Sequence, residues 1–260
     1  MAPSVRAAAA AISSVSLRMA QVLIRKWAVV WRKVRDTASR VVLAIPFLAQ
    51  AEAKAQEPVA VELVLALDSS ASVDRREFQL QLEGLALAFR DPEVLQAVEN
   101  LKPLGAAIAV LQWGAPGETR IVLPFTPVRS AREAKAFGFQ IGLIRRWQWA
   151  SSTSIATALD DSRMLIESND YEGFRRIIDV SGDGPDNGGA DLEAARKRAL
   201  AAEITVNGLP IMADDSALDR YYEDKVIAGA TAFIEPARDF EDYVRAIREK
   251  LLRELRPLGS

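Results

Sequence analysis

Segments typical of buried strands alternate with segments typical of amphipathic helices from residue 58 to the C-terminus, which leaves few possible architectures. Residues 61–67 form a nearly continuous apolar run, as expected of a strand that is covered on both faces. A turn-rich stretch at 68–72 follows it, and the next segment has apolar residues at helical spacing. Strands that alternate with helices in this way predict a parallel sheet with helices on both faces.

The pattern predicts six strands and seven helices. The predicted strands are residues 61–67, 105–113, 120–125, 175–180, 204–209 and 231–234. The predicted helices are residues 74–90, 93–100, 130–145, 154–168, 191–202, 218–227 and 239–255. The link at 114–118 is short and rich in turn residues, so it predicts an antiparallel hairpin. The predicted fold is therefore α/β: a doubly wound, mostly parallel six-stranded sheet with one antiparallel edge strand, in one domain over residues 58–256.

The chain contains no cysteine and no histidine, which excludes several kinds of site. Disulfides, thiolate or imidazole metal sites, cysteine nucleophiles and Ser-His-Asp triads are all impossible. A bound metal would have to be held by oxygen atoms, and this favours a hard cation such as Mg²⁺ or Ca²⁺.

The N-terminal 55 residues differ from the rest of the chain in charge and composition. They carry nine Lys and Arg against two acidic residues. A basic stretch precedes a nine-residue apolar run at 41–49, and small residues follow at 49–55. This order is typical of an export signal, and the run is too short to span a bilayer as a helix. We therefore predict that residues 1–55 are a leader that directs export to the periplasm or to the outside of the cell.

Two alternatives remain open for this leader. Met1 and Met19 are both possible start sites. Apolar residues at helical spacing over 23–34, with basic residues mostly off that stripe, are also compatible with a helix on a membrane surface. The leader would contact the membrane during export, and a retained leader would keep the protein associated with it.

The remainder of the chain is acidic, with 24 Lys and Arg against 33 Asp and Glu. Binding to a phosphate backbone requires clustered Lys and Arg. We therefore expect no nucleic-acid partner.

Oxygen-bearing side chains follow two strands that the predicted order makes neighbours. Asp68 comes directly after the first strand and Asp183 lies three residues beyond the 175–180 strand. Ligands of such sheets bind beyond the carboxyl ends of the strands, where the strand order reverses. Ser70 and Ser72 leave the same turn as Asp68, and Thr153 precedes a helix near this edge. Two carboxylates and three hydroxyls are therefore expected to converge.

This donor set suits an octahedral divalent cation, with Mg²⁺ as the first choice and Mn²⁺ or Ca²⁺ as alternatives. Few direct carboxylate bonds would leave the ion with uncompensated positive charge. The ion would then attract an acidic group from outside the protein. The sequence thus predicts metal-dependent binding of a partner that presents a carboxylate.

At these residues the chain resembles the von Willebrand factor type A (vWA) domain family. The metal-ion-dependent adhesion site (MIDAS) of that family is written Asp-x-Ser-x-Ser, then a Thr, then an Asp before a Gly. Asp68, Ser70 and Ser72 match the first element, Thr153 the second and Asp183 the third. The resemblance is greatest to a bacterial exported branch of poorly characterised function. It implies a Rossmann-like fold and a protein-binding module without catalysis.

Two positions depart from the family pattern. Ser152 stands where a Gly is common, and Gly182 stands where the residue before the Asp usually carries a hydroxyl. Both change the freedom of a loop and leave the proposed donors in place.

An enzyme is the alternative from another functional class: a hydrolase or phosphatase that uses the same cation to activate water. Against it, the sequence shows no second pair of carboxylates for a two-metal site and no evident general base. An Asp-x-Asp nucleophile motif, a P-loop and a Gly-x-Gly-x-x-Gly fingerprint are also missing. The sequence therefore favours a non-enzymatic protein.

Other conspicuous residues have simpler interpretations. Trp113 ends a predicted strand and is expected in the core, whereas Trp147 and Trp149 are candidates for contact with a partner. Asp186 and Asn187 are interpreted as turn formers.

Overall fold

The computed structural model describes residues 55–147 and 152–257. The predictions for the leader and for Trp149 concern residues outside these ranges. No helix in the described part of the chain combines the length and the apolar character needed to cross a bilayer.

Five strands form one sheet. They are β1 (Glu57–Asp68), β2 (Ala106–Trp113), β3 (Thr119–Val128), β4 (Tyr171–Gly182) and β5 (Ile204–Pro210). Their order is β3-β2-β1-β4-β5. β1 runs parallel to β2 and β4, β4 runs parallel to β5, and β3 is the antiparallel edge strand. The predicted α/β class, strand order and antiparallel edge are confirmed for these five strands.

The prediction of a sixth strand at residues 231–234 is wrong. Ile234 makes an isolated parallel bridge to Gly208 of β5, and Ala237 makes one to Ile211, directly after β5. Glu235 and Ala237 donate to the carbonyls of Gly208 and Pro210, but Pro210 has no N–H to donate in return, so the ladder is interrupted there. The described residues thus contain a five-stranded sheet, and this segment runs along its β5 edge.

Seven α-helices cover both faces of the sheet. They are α1 (Arg75–Ala88), α2 (Pro92–Asn100), α3 (Ala131–Ile141), α4 (Ile155–Glu167), α5 (Leu192–Ala201), α6 (Leu218–Tyr221) and α7 (Tyr243–Glu254). A π-helical turn, Tyr222–Val226, continues α6, where the sequence predicts an ordinary helix. One buried apolar cluster joins the sheet to α1, α2, α3 and α7, and a second joins it to α4, α5 and the π-turn. The two clusters make the fold doubly wound.

Local sequence explains where the helices near the sheet edge begin. Asp74 precedes α1, and its side chain accepts a hydrogen bond from the main-chain N–H of Glu77, whose own side chain accepts one from the N–H of Asp74. This reciprocal capping box fixes the first turn of the helix. The cap anchors the end of the loop between β1 and α1, which carries Ser70 and Ser72, while Asp68 is the last residue of β1.

Candidate metal centre

The turn after β1 is ordered by its own first residue. Asp68, the last residue of β1, is fully buried, and its Oδ1 accepts a 2.7 Å hydrogen bond from the main-chain N–H of Ser70. The N–H of Ser69 donates to the carbonyl of Trp113 on β2 at 2.9 Å. The N–H of Val73 donates to the carbonyl of Ser70 at 3.2 Å. These bonds hold the Asp68–Ser72 turn against the carboxyl ends of β1 and β2.

Hydrogen-bonded hydroxyls join this turn to the end of β4. The Oγ atoms of Ser70 and Ser72 are 3.1 Å apart, and the Ser72 hydroxyl donates to Oδ1 of Asp183 at 2.8 Å. Asp183 directly follows β4 and is 7% exposed. Side chains separated by 111 residues in sequence therefore meet at one edge of the sheet, because β1 and β4 are neighbours in it.

Thr153 lies in the loop before α4. Contacts with the loop after β4 hold this Thr153 loop in place. The N–H of Thr153 donates to Oδ1 of Asn187 at 2.8 Å, and the N–H of Asn187 donates to the carbonyl of Thr153 at 2.9 Å. The N–H of Ser154 donates to the carbonyl of Gly114, directly after β2, at 2.8 Å. Thr153 is therefore placed at the same edge of the sheet through main-chain contacts, whereas the other four residues are linked to one another through Ser70 and Ser72.

Asp186 and Asn187 do more than form a turn. Oδ1 of Asp186 accepts a 3.1 Å hydrogen bond from the N–H of Ala156 in the first turn of α4. The N–H of Asp186 donates to the hydroxyl of Tyr221 at 3.1 Å. The sequence signal for this role is weak, since an Asp-Asn pair in a Gly-rich stretch is common in turns.

Arg146 also supports the site, and the sequence analysis did not single it out. Its Nη2 donates to the carbonyl of Ser70 at 2.7 Å and to the carbonyl of Ser69 at 3.1 Å. A guanidinium that binds two successive carbonyls fixes the peptide planes of the turn. Nothing in the local sequence around Arg146 indicates this contact, because its partners lie more than 70 residues away.

Burial disfavours the charged form of both carboxylates of the site. Burial, together with the negative charge of Asp183, raises the pKa of Asp68 to about 7. Burial likewise raises the pKa of Asp183 above its usual range. Neither carboxylate forms a salt bridge with a Lys or Arg in the described part of the chain. Two buried carboxylates without a paired cation are a favourable place for a positive ion.

The donors present fit a hard cation. Oδ2 of Asp68 is buried and has no hydrogen-bond partner among the described residues, so one carboxylate oxygen remains available. Every other side-chain donor at this edge is also oxygen, as Mg²⁺ requires. The described residues contain no cluster of three or more acidic side chains that could hold a metal. A cation bound here would therefore depend on hydroxyl ligands as well as on the two carboxylates.

The tryptophan predictions have separate outcomes. Trp113 is fully buried at the end of β2, which confirms its place in the core. Trp147 is 50% exposed, and the guanidinium carbon of Arg120 lies 3.5 Å from the centre of its ring. Its contact with a partner stays a prediction.

A comparison with known protein families identifies the family of the chain. A family model described as "Protein of unknown function (DUF1194)" matches residues 58–258. No curated protein matches the chain.

Three solved vWA-type structures are similar to the chain. A von Willebrand factor type A protein from Catenulispora acidiphila aligns with a TM-score of 0.53 and 16% identity, over 76% of this chain and 43% of that one. The SpRpn10 VWA domain aligns with a TM-score of 0.51 and 12% identity, over 72% of this chain and 94% of that domain. Proximal thread matrix protein 1 from the mussel byssus, with a zinc-occupied MIDAS motif, aligns with a TM-score of 0.53 and 13% identity. The alignment covers 75% of this chain and 45% of that one.

This chain spans less than half the length of the mussel and Catenulispora proteins. At these identities the likeness concerns the fold, which is that of a vWA domain.

Proposed function

The chain belongs to the family described as "Protein of unknown function (DUF1194)", and from that premise we propose that it is a metal-dependent protein-binding module. One observation carries the proposal. Asp68 and Asp183 are two buried carboxylates from different strand ends: Asp68 accepts from the main-chain N–H of Ser70, Asp183 accepts from the Ser72 hydroxyl, and neither forms a salt bridge with a Lys or Arg in the described part of the chain. A cation from solution would neutralise them.

We assign the metal to Asp68, Ser70, Ser72, Thr153 and Asp183, with Mg²⁺ as the ion and Mn²⁺ or Ca²⁺ as substitutes. Two carboxylates would balance the formal charge of the ion, but five protein ligands would leave one position of an octahedral shell open. Hard cations of this kind keep open coordination positions for water or for an external oxygen ligand. A carboxylate of a protein partner would complete the shell.

The surface beside the site supports an acidic partner. A groove of about 380 Å³ is lined by Arg75, Arg145 and Arg146, together with uncharged side chains. Arg146 contacts the Asp68–Ser72 turn directly, so the groove adjoins the metal site. Three guanidinium groups without an acidic lining residue favour an anionic segment, although residues 56–260 as a whole are acidic.

An exported location is part of the proposal. Its support is the order of basic, apolar and small residues in the leader at 1–55. N-terminal sequencing of the mature protein tests it: a mature N-terminus within or just after the small residues at 49–55 is expected, and an intact leader would contradict cleavage.

Thermal unfolding with and without Mg²⁺ tests the metal site. An ion that binds only the folded state raises the melting temperature by mass action. We expect wild-type protein to show this shift and Asp183→Ala to lose most of it while remaining folded. Asp161→Asn, a carboxylate in the middle of α4, is the matched control and should keep the shift. An equal shift in all three proteins would place the ion elsewhere.

Wild-type protein and Asp183→Ala also test whether the domain binds a partner or catalyses a reaction. Pull-down from an envelope extract in Mg²⁺, compared with a chelator, should recover a partner only in Mg²⁺ and only with an intact Asp183. A phosphatase panel with Mg²⁺ or Mn²⁺ should show no turnover. Turnover that Asp183→Ala abolishes would replace the binding module with a hydrolase.

A further inference from the structure

A cavity of about 220 Å³ lies beside the end of α7. Its wall is formed by β4, β5, the segment that runs along the β5 edge and the last turn of α7. On β4 the lining ends at Ile177, six residues before Asp183, which corresponds to about 20 Å along an extended strand. The cavity is therefore separate from the candidate metal centre.

Two acidic side chains line the cavity, and each has a cationic partner in the protein. Oε1 of Glu254 lies 2.7 Å from Nζ of Lys250, and both side chains are buried. The side chain of Glu203 is 86% exposed, and its Oε2 lies 3.6 Å from Nη2 of Arg176. The two acids are therefore already paired within the protein.

Two arginines line the same cavity without an acidic partner. Arg175 and Arg253 form no salt bridge within residues 55–147 and 152–257. Nη2 of Arg175 donates to the carbonyl of Arg256, just beyond α7, and this bond holds the side chain beside the end of the helix. The guanidinium carbon of Arg253 lies 3.4 Å from the centre of the Phe233 ring, a contact that uses none of its N–H donors. Two positive charges thus remain unpaired at the cavity.

The wall of the cavity is held in place by Asn207 of β5, which is 2% exposed. Nδ2 of Asn207 donates to Oε1 of Glu254 at 2.8 Å, and its Oδ1 accepts from the N–H of Phe233 at 3.2 Å. These bonds fix both the end of α7 and the aromatic ring that Arg253 contacts. Donors that are positioned before a ligand arrives bind it at a smaller entropic cost.

Burial of Arg175 favours an anion at this place. Burial lowers the pKa of Arg175 below its usual range, because the charged guanidinium is removed from water, and the negative charge of Glu254 opposes this shift only in part. A negatively charged ligand beside Arg175 would stabilise its charged form.

We propose that the cavity binds a small oxyanion, a carboxylate or a phosphate group, through the guanidinium groups of Arg175 and Arg253. A guanidinium can donate two parallel hydrogen bonds to the oxygens of such a group. A volume of about 220 Å³ restricts the ligand to a small molecule, because sites for drug-sized ligands measure about 300–1,000 Å³. The proposal does not depend on the metal centre.

Thermal unfolding of metal-free full-length protein tests the proposal. Sodium succinate or sodium phosphate is added, and sodium chloride keeps the ionic strength constant. We expect a saturable rise in melting temperature, since a ligand that binds only the folded state stabilises it. The anion that acts at the lower concentration identifies the preferred group. No rise with either anion, relative to chloride alone, would overturn the proposal.

Single substitutions locate the site. Arg253→Gln, at an exposed residue, and Arg175→Gln should each weaken anion binding at least about tenfold, because each removes charge-assisted hydrogen bonds. Arg132→Gln is the matched control, since Arg132 is exposed on α3, and it should bind the anion as wild type does. Unchanged affinity in the folded Arg253→Gln variant, or an equal loss in Arg132→Gln, would overturn the assignment.

Asp183→Ala separates this site from the metal centre. The variant lacks a proposed metal ligand and keeps the cavity, so without Mg²⁺ it should bind the anion with wild-type affinity. Loss of anion binding in folded Asp183→Ala would place the anion at the metal centre and overturn the cavity site. Loss of the Mg²⁺-dependent stabilisation in the same variant concerns the metal centre alone.

Discussion

Two groups of buried acids in the described part of this domain differ in whether the protein supplies a cation. The edge pair is Asp68 and Asp183, at the carboxyl ends of β1 and β4, and no Lys or Arg among the described residues forms a salt bridge with it. The lysine cluster is Asp179, Lys250 and Glu254, between β4 and α7. Lys250 Nζ lies 2.8 Å from Oδ1 of Asp179 and 2.7 Å from Oε1 of Glu254.

The comparison shows that burial alone does not identify a metal site. Burial raises the pKa of Asp68 to about 7, and it also raises the pKa of Asp179 to about 7. The difference lies in the partners. Lys250, itself fully buried, forms salt bridges with both acids of the lysine cluster, and the amide of Asn207 donates to Glu254 at 2.8 Å. Among the described residues the edge pair has only hydroxyl and main-chain partners, and this is why we propose that its cation comes from solution.

Removal of the internal cation should have the largest effect. Lys250→Met leaves Asp179 and Glu254 buried without a counter-charge, and breaking a buried pair in this way typically costs about 3–5 kcal/mol. Urea unfolding in the presence of a chelator measures the loss. Lys197→Met is the control, because Lys197 is exposed and pairs with Glu193 on the surface of α5. A loss below about 1 kcal/mol would show that the cluster does not depend on its lysine.

Removal of a charge from the edge pair should have the opposite effect on stability in chelator. Asp68→Asn removes a buried carboxylate that has no paired cation, so stability in chelator should stay constant or rise. The same variant should lose the stabilisation by Mg²⁺, which amounts to about 2.7 kcal/mol when the ion is at one hundred times its Kd. Unfolding curves with and without Mg²⁺ measure both quantities. Strong destabilisation of Asp68→Asn in chelator would mean that the edge pair is structural, like the lysine cluster.

Stability in chelator should fall between about pH 4 and pH 7. The folded-state pKa values of Asp68 and Asp179 lie above the unfolded value, so the folded protein retains protons that the unfolded chain has released. This contribution is fully present below pH 4 and is lost as the pH rises through 7. Melting temperatures across this range should fall less steeply in Asp68→Asn and in Asp179→Asn.

Addition of Mg²⁺ distinguishes the two variants at pH 7. At pH 7 the ion should restore stability to Asp179→Asn but not to Asp68→Asn, because only the edge pair is expected to take up the metal. A pH profile that is identical in wild type and both variants would contradict the raised pKa values.

Loosening the Thr153 loop should have the smallest effect. Asn187→Ala removes the acceptor of the Thr153 N–H, a contact worth about 1 kcal/mol. We expect Mg²⁺ affinity to fall about fivefold, because Thr153 would be less well positioned. Calorimetry provides the measurement, and Asn100→Ala, at the exposed end of α2, should bind Mg²⁺ normally. An unchanged affinity in Asn187→Ala would separate Thr153 from the metal.

Lys250 illustrates what local patterns miss. In sequence, Lys250 and Glu254 look like an ordinary i,i+4 pair on the exposed face of the last helix. Tertiary structure turns this pair inward, where Asp179 of β4 completes the cluster. Because Lys250 and Asp179 lie far apart in sequence, on α7 and β4, no local pattern indicates this contact.

The amino-acid sequence by itself determined the alternation of strands and helices, the antiparallel edge and the identity of the oxygen-bearing side chains, because these depend on local periodicity and residue type. Tertiary structure decided that the last predicted strand makes only isolated bridges, that Tyr222 fills the space above Gly182, and that Lys250 is buried. These features depend on contacts between elements far apart in the chain, where packing and charge pairing override local propensity.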